Sequence, residues 1–205
     1  FKEFTINLHT KYQTFLAMIH RAIEERIHNA LAKKKAVTIM GPRQVGKSTL
    51  ADAIIPKDAR ILEINGDNTD VQTMFINVDE AKMKVLIGNK NFLFVDEAQK
   101  IENVGNMLKI VAEKFKDIKI IVTGSSAFKL AEAVNESLTG RKREFKLYPL
   151  SFKEMADDTS VLEESRMIDH RLIYGYYPEV VTSPGDEKEV LKELIDSYLY
   201  KDVME

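Results

Sequence analysis

Apolar positions along the first three quarters of the chain alternate between two spacings. Tyr12, Phe15, Leu16, Ile19, Ile23, Ile27, Ala30 and Leu31 recur at steps of three and four, which predicts one long amphipathic helix over residues 10–34. A short continuous apolar run, Ala36 to Met40, follows and predicts a buried strand. Four more strands are predicted: the largely apolar runs Arg60–Ile64, Phe92–Val95 and Ile118–Val122, and the more polar Arg143–Leu147. Helical spacing fills the gaps at Ser48–Ile55, residues 70–87, Val104–Phe115 and Ala127–Leu138. Pro56 stops the first of these, and Gly88 and Gly140 close the second and fourth. Asn65-Gly66-Asp67 is a turn signal behind the second strand.

Strands that are apolar on both faces and alternate with helices predict a parallel sheet covered on both sides, an α/β fold. From Ser151 the strands stop. SFKEMADD, EESRMIDHRLIYGYY and EKEVLKELIDSYLYKDV read as helices split by Pro178 and Pro184-Gly185, a small C-terminal helical appendage. Three domains are expected: residues 1–17 as an extension or non-native leader, 18–150 as the core, and 151–205 as the appendage, the start of a truncated C-terminal region.

Composition narrows the class. With 44% apolar residues the 205-residue chain can bury a core, and a net charge of −2 gives no global field for nucleic acid. The absence of cysteine removes disulfides and thiolate metal sites. No apolar run reaches the roughly 20 residues that span a bilayer, and FKEFTINLHT lacks a signal core, so a cytoplasmic protein without membrane partners is expected. Lys33-Lys34-Lys35 reads as cations at a helix C-terminus rather than a nucleic-acid patch.

The chemistry begins after the first strand. Gly41-Pro42-Arg43-Gln44-Val45-Gly46-Lys47-Ser48-Thr49 fits G-x-x-x-x-G-K-[ST], and it follows a strand and opens a helix, as a phosphate cradle must. The glycines permit close approach and unusual backbone angles, so that successive N–H groups point at a phosphate. Lys47 is positioned for the β- and γ-phosphates, and Ser48 offers a hydroxyl to Mg²⁺. The third strand ends in Asp96-Glu97. Asp96 would help hold the Mg²⁺ and Glu97 would activate a water, which favours nucleotide hydrolysis. A GTPase would show Asp-x-x-Gly here, whereas the chain has Asp96-Glu97-Ala98-Gln99.

Two further candidates stay open. Thr123-Gly124-Ser125-Ser126 ends the fourth strand, where Ser125 could sense the γ-phosphate or serve as a helix N-cap. Arg141, in Gly140-Arg141-Lys142-Arg143, could stabilise a transferring phosphoryl group or be one of several cations after a helix.

GPRQVGKSTL, FLFVDEAQKIENVGNMLK, IIVTGSSAFKL, ESLTGRKREFKLYPLSFKEM and LIYGYYPEVV together resemble, in order, the prokaryotic AAA-type predicted ATPases, over about Met18 to Glu205. These pair an N-terminal P-loop ATPase domain with a C-terminal domain of unknown function. The resemblance implies a P-loop NTPase of the additional-strand catalytic-glutamate class, sheet order 5-1-4-3-2, acting on ATP with Mg²⁺. It implies a phosphate loop over Gly41–Thr49, an acidic pair at Asp96 and Glu97, a sensor-like Ser125 and an arginine finger at Arg141, in cis or from a neighbouring copy. It also implies partners: the missing C-terminal domain or a partner protein, and a homo-oligomer.

The four histidines show no ligand spacing. Tyr174-Gly175-Tyr176-Tyr177-Pro178 reads as a packed junction rather than a base-stacking platform, because no basic cluster surrounds it. Val190, Leu191, Leu194, Ile195, Tyr198, Leu199 and Val203 form an apolar stripe for docking on this chain or on the missing domain. The expected function is Mg²⁺-dependent ATP binding and hydrolysis coupled to an attached or partner domain. The rivals are a nucleotide switch without turnover and a DNA-associated, helicase-like motor, for which 205 residues hold no second motor domain.

Overall fold

The structure is a computed structural model that describes residues 19–75, 78–125 and 137–202. The described chain forms two compact units. One is Ile23–Tyr148; the other is built from the residues up to Ala22 and those from Pro149 onward.

In the first unit α1 (Glu24–Ala32) leads into β1 (Ala36–Met40) and α2 (Lys47–Ile54). Then come β2 (Ile61–Asn65), α3 (Thr69–Phe75), α4 (Glu80–Ile87) and β3 (Phe92–Asp96). A 3₁₀ turn at Ala98–Lys100, α5 (Val104–Lys114), β4 (Lys119–Gly124) and β5 (Lys142–Lys146) complete it. The strands are all parallel, in the order β2-β3-β4-β1-β5. This is the order 5-1-4-3-2 that the family resemblance implies.

The continuous apolar strands serve two cores. Leu93 and Val95 of β3 and Val122 of β4 join Met83, Ile87, Met107 and Leu108 from α4 and α5 on one face. Phe92 and Phe94, one residue out of step, join Val37, Ile39, Ile121, Phe145 and residues of α1 and α2 on the other. Successive side chains point to opposite faces, so a strand buried on both sides must be apolar throughout.

Two predicted helices are corrected. The helix expected over 10–34 starts only at Glu24 among the described residues, because the Ala22 N–H donates to the Glu154 carboxylate (2.9 Å) instead of entering a helix. The part before residue 19 lies outside the described residues. The helix expected over 70–87 is two, since Asp79 caps a new start by accepting from the Lys82 N–H at 2.8 Å. Most of the helix expected over Ala127–Leu138 also lies outside the described residues.

The second unit contains α6 (Phe152–Asp158), α7 (Val161–Arg166), α8 (Ile168–Tyr174), α9 (Pro178–Thr182) and α10 (Glu187–Asp202). Ser151 and Glu154 form a reciprocal capping box at the start of α6. Val180, Val190 and Leu194 pack with Tyr174, Tyr177 and Leu191, so part of the apolar stripe of α10 is used within its own unit. The Tyr174–Pro178 stretch is a packed junction, with the Arg171 guanidinium 5.6 Å from the Tyr176 ring centre. Two buried ion pairs supplement this modest core: Arg21 with Glu154 and Arg171 with Glu164, each at 3.1 Å.

Candidate nucleotide site

β1 delivers the chain to the C-terminal edge of the sheet, where residues 41–46 turn back into α2. Two positions in this loop have left-handed backbone angles: Gly46 (φ 91°) and, unusually for a residue with a side chain, Gln44 (φ 57°). Alternation of this kind turns consecutive N–H groups inward and makes an anion-binding concavity. Gly41 is needed for space rather than for its angles. A Cβ there would lie 2.2 Å from the Leu147 carbonyl oxygen, which follows β5. Val45 is wholly buried in the core shared with α1 and α2, and pins the middle of the loop.

The Lys47 side chain is buried, and its ammonium donates to the carbonyls of Gly41 (3.1 Å) and Pro42 (2.8 Å). It lies 3.8 Å from Glu97 Oε1. Burial lowers the pKa of Lys47, against the opposing influence of Glu97 and Asp96.

The acidic pair comes from the neighbourhood predicted for it. β3 is separated from β1 only by β4, so its end faces the loop. Ser48 Oγ donates to Asp96 Oδ2 at 2.9 Å, and Thr123 Oγ1 donates to Oδ1 of the same carboxylate. Glu97 has left-handed angles (φ 47°, ψ 46°) that a non-glycine residue adopts only when its surroundings hold it there. Its N–H donates to Thr123 Oγ1 at 3.2 Å. Its Oε2 accepts from Ser125 Oγ at 3.0 Å and from Gln99 Nε2 at 2.5 Å, and Gln99 Nε2 also lies 3.0 Å from Ser125 Oγ.

The structure therefore brings together Gly41 through Thr49, Asp96, Glu97 and Ser125. Ser125 Oγ donates to the Glu97 carboxylate; Ser126 and the segment that Ser125 could cap lie outside the described residues. Arg141 is not part of this cluster. It stands just before β5, whose first residue pairs with Ala36 at the start of β1. A five-residue strand, about 16 Å long, separates it from the loop, and its guanidinium is paired with Glu113 at 2.8 Å. The cis form of the arginine finger is thereby corrected, because no Arg side chain of this chain position spans that distance.

Three supporting residues were not singled out from the sequence: Gln99, Thr123 as the partner of Asp96, and Gly66. Gly66 follows β2, donates its N–H to the Asp96 carbonyl at 2.9 Å, and leaves no room for a side chain, since a Cβ would lie 2.3 Å from the Glu97 carbonyl oxygen. The turn signal at Gly66 is visible in the sequence, but its contact across two strands is not.

Sheet order, loop and acid pair define a P-loop NTPase domain. The chain belongs to the AAA domain family, whose model matches residues 33–156. An uncharacterised protein of Methanocaldococcus jannaschii is 28% identical, covering 90% of this chain and 45% of its own length. Another from Haemophilus influenzae is 33% identical over 56% of this chain and 30% of its own. The chain thus spans less than half the length of these curated relatives.

Two solved structures share the fold. A signal transduction ATPase with numerous domains and a tetratricopeptide repeat sensor, from Pyrococcus horikoshii, aligns with TM-score 0.51 and 14% identity over 80% of this chain and 29% of its own. PCH-2 of C. elegans aligns with TM-score 0.51 and 14% identity over 79% and 51%. Among the described residues no helix is long and apolar enough to cross a membrane.

Proposed function

We propose that this chain binds ATP with Mg²⁺ and hydrolyses it, and that the cycle drives an attached or partner domain. The observation that carries the reading is the meeting of two motifs from separate strands: Lys47 within 3.8 Å of Glu97, and Ser48 within 2.9 Å of Asp96. The oxygen donors fit the metal. Mg²⁺ takes hard oxygen ligands, and the Ser48 hydroxyl and Asp96 carboxylate, 2.9 Å apart beside the phosphate loop, are donors of that kind. Ser48 and Asp96 would hold the ion, whose role when bound is to bridge and neutralise phosphate oxygens.

The rest is done by the chain. The loop N–H groups and Lys47 grip the polyphosphate, and the lysine exchanges two carbonyl partners for phosphate oxygens. Glu97 takes a proton from the attacking water. Ser125 and Gln99 aim its Oε2, and Thr123 fixes both its N–H and the Asp96 carboxylate. Arg141, exposed at the far edge, would assist only from a neighbouring copy.

The test is paired. Lys47→Ala should abolish nucleotide binding, whereas Glu97→Gln should keep binding and lower turnover by about 10²–10⁴, the usual worth of a positioned general base. Equal ATPase rates in wild type and Glu97→Gln would refute the role of Glu97. A specific rate that rises with protein concentration, and does not in Arg141→Ala, would support the arginine in trans. The hydrogen bonds that already occupy the Glu97 carboxylate favour a second reading, a slow nucleotide switch; single-turnover hydrolysis by the purified chain separates the two.

A further inference from the structure

The edge of the sheet opposite the nucleotide site collects three basic segments that are far apart in sequence. Lys33-Lys34-Lys35 precedes β1, Lys116 and Lys119 flank the start of β4, and Arg141-Lys142-Arg143 precedes and opens β5. These strands are neighbours and parallel, in the order β4-β1-β5, so all three segments enter at one edge, within about 10 Å across the sheet. Arg26 on α1 adds a further cation. A groove of about 680 Å³ there is lined by Arg26, Lys33, Lys35, Lys142 and Arg143, with Glu144 as its one acid.

Nearby acids neutralise only part of this charge. Asp117 pairs with Lys34, Glu113 with Arg141, and Glu144 with Lys142. Lys33, Lys116 and Arg143 are exposed and have no carboxylate partner among the described residues. The net charge of −2 hides the asymmetry. From Ile23 to Tyr148 there are 21 Lys and Arg against 17 Asp and Glu; from Pro149 to Glu205 there are 6 against 14.

We propose that this basic edge binds the phosphate backbone of nucleic acid without reading its sequence. The exposed large apolar side chains described in this unit, Met74, Val85 and Tyr148, belong to none of the three segments. A protein partner would want an apolar or aromatic anchor, and a lipid surface would want residues to insert. A groove in which five cations face a single acid, Glu144, suits an extended polyanion whose binding rests on counterion release. The one ring lining the groove, Phe145, is buried with the Arg26 guanidinium 5.6 Å from its centre, so it offers no open face on which bases could stack and be read.

The test uses the whole chain and a 20-base-pair duplex of random sequence, followed by fluorescence anisotropy. If four cations each neutralise one phosphate, the slope of log affinity against log salt is about −3.6, and raising salt fourfold weakens binding about 150-fold. Replacing Lys33, Lys116 and Arg143 together by Gln should cut the slope to about −0.9 and the salt effect to about fourfold. ATP hydrolysis without DNA should be unchanged in this variant, which separates failure here from failure of the nucleotide site. The proposal is overturned if the wild-type chain shows no binding at 50 mM salt, or if the triple variant binds as tightly with the same slope. It is also overturned if polyglutamate at equal charge displaces the duplex, which would make the edge a site for acidic polypeptide.

Discussion

Gly41→Ala is the sharpest probe of how the phosphate loop is built. The added Cβ would start 2.2 Å from the Leu147 carbonyl oxygen and 3.3 Å from Val45 Cγ1. A carbon and a carbonyl oxygen settle at about 3.3 Å or more, so about 1.1 Å must be found. Neither neighbour gives easily: the oxygen is backbone, and Val45 is fully buried. The cheapest release moves the end of β5 away from β1, at the expense of the bond from the Leu147 N–H to the Met40 carbonyl (2.7 Å). Overpacking of this kind costs about 1–3 kcal/mol, and a buried backbone bond left unmade adds about 1–3 kcal/mol. A total of about 2–6 kcal/mol would lower the melting temperature by about 4–24 °C in a chain of this size. Thermal unfolding followed by circular dichroism reads that shift, and titration with a fluorescent ATP analogue reads the loop. A variant that melts within a degree of the wild type and binds the analogue equally well would show that the loop does not lie against Leu147.

Gly66→Ala meets a similar wall, the Glu97 carbonyl at 2.3 Å, and should depress turnover more than nucleotide affinity, because it displaces the acid and not the loop. Gln99→Ala removes one of the two donors to Glu97 Oε2 and should lower kcat about tenfold with KM nearly unchanged; a rise in KM alone would count against a positioning role. Burial alone would raise the pKa of Glu154, but the N–H groups of Ala22 and Ser151 and the Arg21 guanidinium outweigh it and hold it below the usual 4.5. A depressed carboxyl contributes stability that is complete above 4.5 and is lost as pH falls through its lower folded value, so unfolding of the helical unit should become pH-dependent only below 4.5. Glu154→Gln should flatten that acid dependence and cost about 3–5 kcal/mol at neutral pH, since it breaks the buried ion pair with Arg21; denaturant titrations at pH 7 and pH 4 check both.

What could be read in the sequence was local or carried by a motif. Continuous apolar strands announced a sheet buried on both faces, and the loop spacing with Asp96-Glu97 located the site's two halves. The order of the strands came from family resemblance, because apolar runs do not say which strand lies beside which. Gln99, Thr123 and Gly66 escaped notice for the same reason: each acts across strands, and a single glutamine or threonine carries no spacing of its own. The early start assigned to the first helix failed because periodicity cannot see a carboxylate more than 130 residues away that claims the Ala22 N–H. Lys33-Lys34-Lys35 looked like an ordinary helix ending; only the parallel topology sets it beside two other basic segments.

The Glu154 carboxylate has a practical corollary for dissecting the molecule. It grips Arg21 and Ala22 from one stretch of chain and the Ser151 N–H from another. Any fragment cut cleanly at residue 149 would leave that acid without its guanidinium, and one begun at residue 23 would discard the tether from the other side. Expression boundaries for the helical portion should therefore keep the short run ahead of Ile23, supplied as a fusion or a separate peptide if the rest is removed.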